Sequence, residues 1–453
     1  MAVESIATDT APAARLPAAL RNALLWAGLT VLMLGPVAGL GTLASGGTYV
    51  FQHRWGLVAV LAVVVFAIRL AAGLLAGRPN TVGQAVRQRL TPRLTAAAPA
   101  VGPVFIALAV LFPFLAAALG GGLVGGRYWI DLGVYVLTFT LLGWGLNIVV
   151  GLAGLLDLGY VAFYAVGAYS FALLAQNFEL SFWICLPIAG MLAALWGVLL
   201  GFPVLRLRGD YLAIVTLAFG EIIRLVLINW RDLTGGARGI IGIPRPSFLG
   251  FDFMEEEGPT SFSEFFGLEY SPVYRLIFFY YVTLGLALIV LWVTQRLRRL
   301  PIGRAWEALR EDEIACRALG ISVVNTKLAA FAIGAMFGGF AGTVFAARQG
   351  YINPGDFTFL QSALVLAIVV LGGLGSTIGI VLAAIVLIGG VEMLRNLGFL
   401  SAILGPTFEP AQYRMLIFGM VMVAIMVLRP RGLVSTRKPS ILLGRRPADG
   451  APR

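Results

Sequence analysis

The chain has 453 residues, of which 59% are apolar and only 12% charged, and its mean hydropathy is +0.91. Soluble domains carry about 25% charge and one core stops growing near roughly 250–300 residues. The composition therefore excludes an ordinary soluble enzyme, a disordered chain, a collagen and a disulfide scaffold, and leaves a polytopic membrane protein. The formal charge of +11 is spread along the chain. That pattern argues against nucleic-acid binding and for loops held in the cytoplasm by Arg and Lys.

The apolar stretches are long and unbroken, which favours helices over barrel strands alternating across about ten residues. Residues 1–22 are small and polar, with Arg15 and Arg21 ahead of the first apolar run. That run, Ala23 to Leu43, is too long for a cleaved signal and reads as a retained helix. Further spans are predicted at 56–76, 100–120, 130–150, 152–175, 182–205, 211–229, 276–295, 328–347, 361–375, 378–395 and 414–428. The expected fold is an all-α polytopic bundle of about 10–12 transmembrane helices. Gly151 alone separates the fourth span from the fifth, and Gly372–Ser376 separates the tenth from the eleventh. Either junction suits a broken or re-entrant helix.

With the N-terminus cytoplasmic, twelve crossings put both ends inside. The inner segments then hold 22 basic residues and the outer segments 8, with Arg69, Arg224 and Arg395 inside spans. The chain divides into residues 1–99 (two spans and a basic linker), a core at 100–435 and a basic tail at 436–453. The core carries a long outer loop at 230–275 and a long inner loop at 296–327.

Cys185 and Cys316 match no metal spacing, and His53 is the single histidine. No metal site and no catalytic constellation is expected. The chain also lacks a Gly-x-x-x-x-Gly-Lys-[Ser/Thr] loop, so it has no phosphate cradle of its own. Intramembrane charge is sparse. Glu221 and Arg224 lie three residues apart on one helix face, either a self-neutralised pair or a polar lining. Glu392 and Arg395 repeat the spacing near a helix end. Asp157 falls in the first turns of the fifth span, where the helix dipole favours an anion. Gly334, Gly338 and Gly342 recur every four residues, a ridge for close helix packing.

The inner loop carries strong helix formers from Arg304 to Leu319, with Gly320 as a C-cap. Its mixed charge and small residues do not suit a lipid-surface helix. Here the chain resembles the cytoplasmic coupling segment of ABC-importer permeases. The resemblance extends over about residues 100–435. It rests on Gly145–Gly154 (GLNIVVGLAG), Phe202–Thr216 (FPVLRLRGDYLAIVT), Phe219–Ile222 (FGEI), Thr234–Gly236 (TGG), Gly303–Ala315 (GRAWEALREDEIA) and Phe345–Gly350 (FAARQG). Together these motifs are similar to the branched-chain amino acid permease family of the LivM type.

The resemblance implies a non-catalytic permease subunit of an ATP-driven importer in a bacterial inner membrane, with leucine, isoleucine and valine as cargo. Urea, amide and other amino-acid permeases are related. A secondary transporter is the competing class, disfavoured by the sparse intramembrane charge. The implied partners are a LivH-type permease as membrane heterodimer partner, two cytoplasmic ATPase subunits, a periplasmic binding protein and the lipid bilayer. ATP and Mg would be bound by the ATPases, with no cofactor on this chain. Glu307, Glu311, Asp312 and Glu313 would meet the ATPase, with Ala308 and Ala315 permitting close approach and Gly320 ending the helix. A polar cargo path is expected along the seventh span, from Asn147, Thr216, Glu221, Arg224, Thr234, Gly235 and Gly236, with backbone groups freed at 372–376.

Overall fold

The computed structural model describes residues 102–118, 120–204, 207, 209–246, 271–393 and 432–434, with scattered positions at 20–67 and at 419, 422 and 423. The chain divides into two compact units, residues 1–105 and 106–453.

In the first unit, β1 (Leu40–Ser45) pairs antiparallel with β2 (Thr48–His53). The first span was expected to stay helical to Leu43; β1 shows that the helix stops before Leu40. Most of the span at 56–76, nearly all of 414–428, the linker and the tail lie outside the described residues.

Among the described residues, six helices are long and apolar enough to cross a membrane. A shorter apolar helix, α1 (Gly102–Ala118), precedes them. The second unit then runs α2 (Leu123–Leu146), α3 (Val161–Asn177), α4 (Phe182–Val204), α5 (Asp210–Asn229) and α6 (Val273–Arg299). After α6 come two short helices, α7 (Pro301–Glu311) and α8 (Glu313–Ala318). The chain returns through α9 (Val323–Gln349), α10 (Phe359–Gly372) and α11 (Thr377–Ala384).

The centre is α9, which packs against α2, α3 and α4. Lipid tails are as apolar as Leu, so close backbone approach rather than hydrophobicity holds such helices together. Small residues make that approach possible. A Cβ on Gly342 would lie 2.1 Å from the Tyr164 carbonyl oxygen, and one on Gly167 would lie 2.3 Å from that of Gly339. Gly334 faces Gly145 and Val149, and Gly338 faces Tyr160 and Phe163. The glycine ridge is therefore spent inside the bundle, against α2 and the start of α3.

Both suspected junctions are interruptions. The α2 helix loosens into a π-turn at Asn147–Leu152, and non-helical backbone follows to Tyr160. The fifth span thus begins at Val161, not at 152. Asp157 precedes the helix instead of sitting in its first turn; its Oδ1 accepts from the Gly159 N–H at 2.9 Å. The break at 373–376 separates α10 from α11, and a second π-turn at Ile385–Gly389 continues α11. At the other end of the bundle, β3 (Ile240–Ile241) pairs antiparallel with β4 (Tyr351–Ile352).

Candidate functional site: two short helices beside two broken spans

The segment after α6 turns sharply because Gly303 carries no side chain. A Cβ there would sit 2.3 Å from the Leu297 carbonyl oxygen. Pro301 opens α7 at its first turn, where a missing N–H costs nothing. One helix was expected from Arg304 to Leu319, but the structure breaks it at Asp312. That residue adopts extended backbone, and its carboxylate accepts from the Ile314 and Ala315 N–H groups at 2.7 and 3.1 Å. Asp312 is thus an N-cap, a role that competes with continued helix. Gly320, at φ 79°, ends α8, with the Ile321 N–H reaching back to the Cys316 carbonyl.

Trp306 anchors the segment. It is fully buried, and its indole N–H donates to the Thr326 carbonyl at 2.9 Å. Glu313 accepts from Arg317 at 2.6 Å and from Lys327 at 3.1 Å, where the Lys327 side chain is only 3% exposed. Glu307 lies 3.6 Å from Arg298. Ala308 packs with Leu309, Cys316, Val323 and Ile321. Of the residues expected to face a partner, Glu311, Asp312, Ala315 and Gly320 are exposed. Glu307, Glu313 and Ala308 are engaged within the chain. Ile314 and Leu319, 68% and 80% exposed, complete the outer face. Sequence reasoning passed over them because apolar residues in a short helix read as core. The signal available was their place on a helix that Asp312 had already set apart.

The segment and the end of α6 each hold one interruption. Arg310 Nη1 donates to the Gly151 carbonyl of the π-turn, and Arg298 Nη1 donates to the Gly375 carbonyl at 3.3 Å. Asn147 joins the interruptions directly, its Oδ1 accepting from the Gly375 N–H at 2.8 Å. The carbonyls left by α10 at Leu371 and Gly372 accept from the Leu433 and Val434 N–H groups at 2.8 and 3.3 Å. The backbone at 372–376 was expected to be available to a polar cargo. These protein donors and acceptors take its hydrogen bonds instead, as buried polar backbone requires.

The other path residues are also engaged. Thr216 Oγ1 donates to the Ala213 carbonyl at 3.0 Å and accepts from the Leu158 N–H at 3.1 Å, holding α5 to the stretch before α3. Thr234 Oγ1 donates at the end of α5, 2.6 Å from the Leu227 carbonyl. Gly235 and Gly236 both have positive φ and form the turn that follows. Glu221 and Arg224 pair at 2.8 Å, with side chains 38% and 28% exposed on the flank of α5. Among the described residues there is no group of three His, Cys, Asp or Glu that could hold a metal.

Residues 128–426 match a family described as the permease component of the branched-chain amino acid transport system. Residues 18–112 match a domain of unknown function. The chain is 51% identical over 348 residues to the high-affinity branched-chain amino acid transport system permease protein LivM of Escherichia coli K12, covering 76% of this chain and 77% of that one. It is 27% identical over 260 residues to the probable LivM permease of Methanocaldococcus jannaschii, covering 57% of this chain and 69% of that one. It is 24% identical over 309 residues to the LivH permease of Salmonella typhimurium, covering 66% and 91%. No solved structure matches. With its membrane helices, its two interrupted spans and these relatives, the chain belongs to the branched-chain amino acid transport permease family.

Proposed function

We propose that the chain is one of two unlike permease subunits of an ATP-driven importer of leucine, isoleucine and valine in a bacterial inner membrane. Its membrane partner is a LivH-type permease. Two cytoplasmic ATPase subunits, holding ATP and Mg, dock on the end carrying α7 and α8. A periplasmic binding protein delivers cargo to the end carrying β3 and β4. Both termini are cytoplasmic. The observation that carries this reading is the 51% identity over three quarters of the chain to a LivM permease.

The geometry supports a role for the inner segment in transmission. The exposed face of α7 and α8 offers Glu311, Ile314, Ala315 and Leu319 to a partner. Arg310 of α7 holds the Gly151 carbonyl of one interruption, and Arg298 at the end of α6 holds the Gly375 carbonyl of the other. Movement of α7 therefore pulls on membrane backbone directly.

The test uses the whole complex in proteoliposomes, with ATP inside and loaded binding protein outside. The parental complex should take up leucine only with ATP. Uptake driven by an ion gradient without ATP would make the protein a secondary transporter, and faster movement of urea would change the cargo. Arg310→Ala should assemble and hydrolyse ATP while leucine uptake falls about tenfold or more. Uptake at the parental rate would remove the clamp from the mechanism.

A further inference from the structure

A cavity of about 210 Å³ lies inside the second unit, between α2, α3, α9 and α10, beneath the connection from β4 to α10. None of the seven path residues expected from the sequence lines it. Its walls are of two kinds. Phe139, Tyr164 and Phe345 are aromatic, and Val365 closes the side formed by α10. Arg348, Asp356 and Gln361 bring opposite charges and an amide to the same space.

These polar groups come from the last turn of α9, the connection after β4 and the first turn of α10, and all three are half-buried. Arg348 is 15% exposed and gives one guanidinium nitrogen to Asp131. A guanidinium has five donors, so a carboxylate can still be received. One Asp356 oxygen accepts from the Asn353 N–H at 3.2 Å, and a carboxylate has capacity for an ammonium beside it. Gln361 Oε1 is buried with no hydrogen-bond partner. A buried acceptor left this way is destabilising, and an ammonium donor would satisfy it. The N-terminal turns of two helices also meet at this level, where the Val161 N–H donates to Ser362 Oγ at 3.1 Å.

We infer that this cavity is a cargo subsite within the permease, taking one zwitterionic amino acid with an aliphatic side chain. Arg348 receives the carboxylate, Asp356 and Gln361 receive the ammonium, and the Phe139, Phe345 and Val365 walls receive the side chain. The volume lies below the roughly 300–1,000 Å³ of drug-sized sites, which suits a single amino acid and excludes a peptide. This inference rests on the importer reading above. It adds a second point of selection, inside the permease, to any made before delivery.

The test changes the size of the cavity and reads the ratio of leucine to valine uptake in the reconstituted complex. The two cargoes differ by one methylene, worth about 10–200-fold in a shaped apolar pocket. Val365→Phe narrows the cavity and should lower the leucine-to-valine ratio about tenfold. Phe345→Leu widens it and should raise the ratio. Co-purification of the ATPase subunits reports whether each variant assembles. If Val365→Phe fails to assemble, Phe345→Leu alone decides. A parental ratio in every variant that assembles overturns the subsite and leaves the importer reading standing. A parental complex that moves neither amino acid overturns both.

Discussion

Glu313→Ala should release the inner segment from α9. The carboxylate is 3.1 Å from a Lys327 ammonium whose side chain is only 3% exposed. At an effective dielectric of about 20 the Coulomb attraction at that distance is about 5 kcal/mol, and desolvation offsets part of it. Removing one partner of a buried pair costs about 3–5 kcal/mol, because the other charge stays buried. Glu313 is itself 18% exposed, so the lower end applies, about 3 kcal/mol. Arg310 and Arg317 offer trypsin sites in the segment. When opening is fast relative to cleavage, the rate follows the open population. At 1.4 kcal/mol per tenfold, cleavage of the purified complex should accelerate by about two orders of magnitude. Lys327→Met combined with Glu313→Ala should restore most of the protection, since no charge is left stranded. An acceleration under about fivefold for the single variant, or a double variant cut as fast as the single, would show that this pair behaves like an exposed one.

Gly342→Ala should abolish assembly, because its Cβ would meet the Tyr164 carbonyl oxygen at 2.1 Å; Gly338→Ala, 3.2 Å from the Tyr160 hydroxyl, should cost no more than about 1–3 kcal/mol. Co-purification of the partner subunits measures both. Asn147→Leu strands the Gly375 N–H and should cost about 1–3 kcal/mol, while Asn147→Asp keeps the acceptor. Thermal unfolding of the complex should separate the two, and equal losses would remove the side-chain bond from the account. Both native cysteines are buried. Ser181→Cys should therefore label with an impermeant thiol reagent on intact cells, and Ser322→Cys only after the membrane is breached. The reverse pattern would invert the proposed orientation.

The long apolar helices were legible because hydropathy and glycine punctuation act locally. The ends of α4, α5, α9 and α10 fall within a few residues of expectation. Two features escaped for opposite reasons. Asp312 was hidden by strong helix formers on both sides, although an Asp before Glu-Ile-Ala is a good N-cap and its carboxylate takes two backbone donors. The cavity escaped because its residues are brought together across the chain. Phe139 comes from α2 and Arg348 from α9, and no spacing pattern reaches so far. Polar residues were sought within spans, so Asn147 and Thr216 were found, and they tie broken backbone together. Arg348 and Asp356 fall beyond the expected span at 328–347, and their place at the cavity follows from the way β4 turns the chain back into the bundle.

The late start of α3 bears on how the protein is made. A stretch such as 153–160 cannot stay in lipid with its backbone groups unmet. What secures it at Tyr160 and Val161 is Gly334 and Ser362, 174 and 201 residues further along the chain. At about 5–20 residues per second of synthesis, those contacts arrive roughly 10–40 s after the stretch itself. Until then α3 has neither its α9 groove nor its α10 hydroxyl. It must wait in the translocation channel, in water, or against a chaperoning helix. Spans three to eight therefore cannot be released to the bilayer one by one as finished units, and a truncated chain ending before α9 is expected to be degraded rather than to accumulate as a smaller permease.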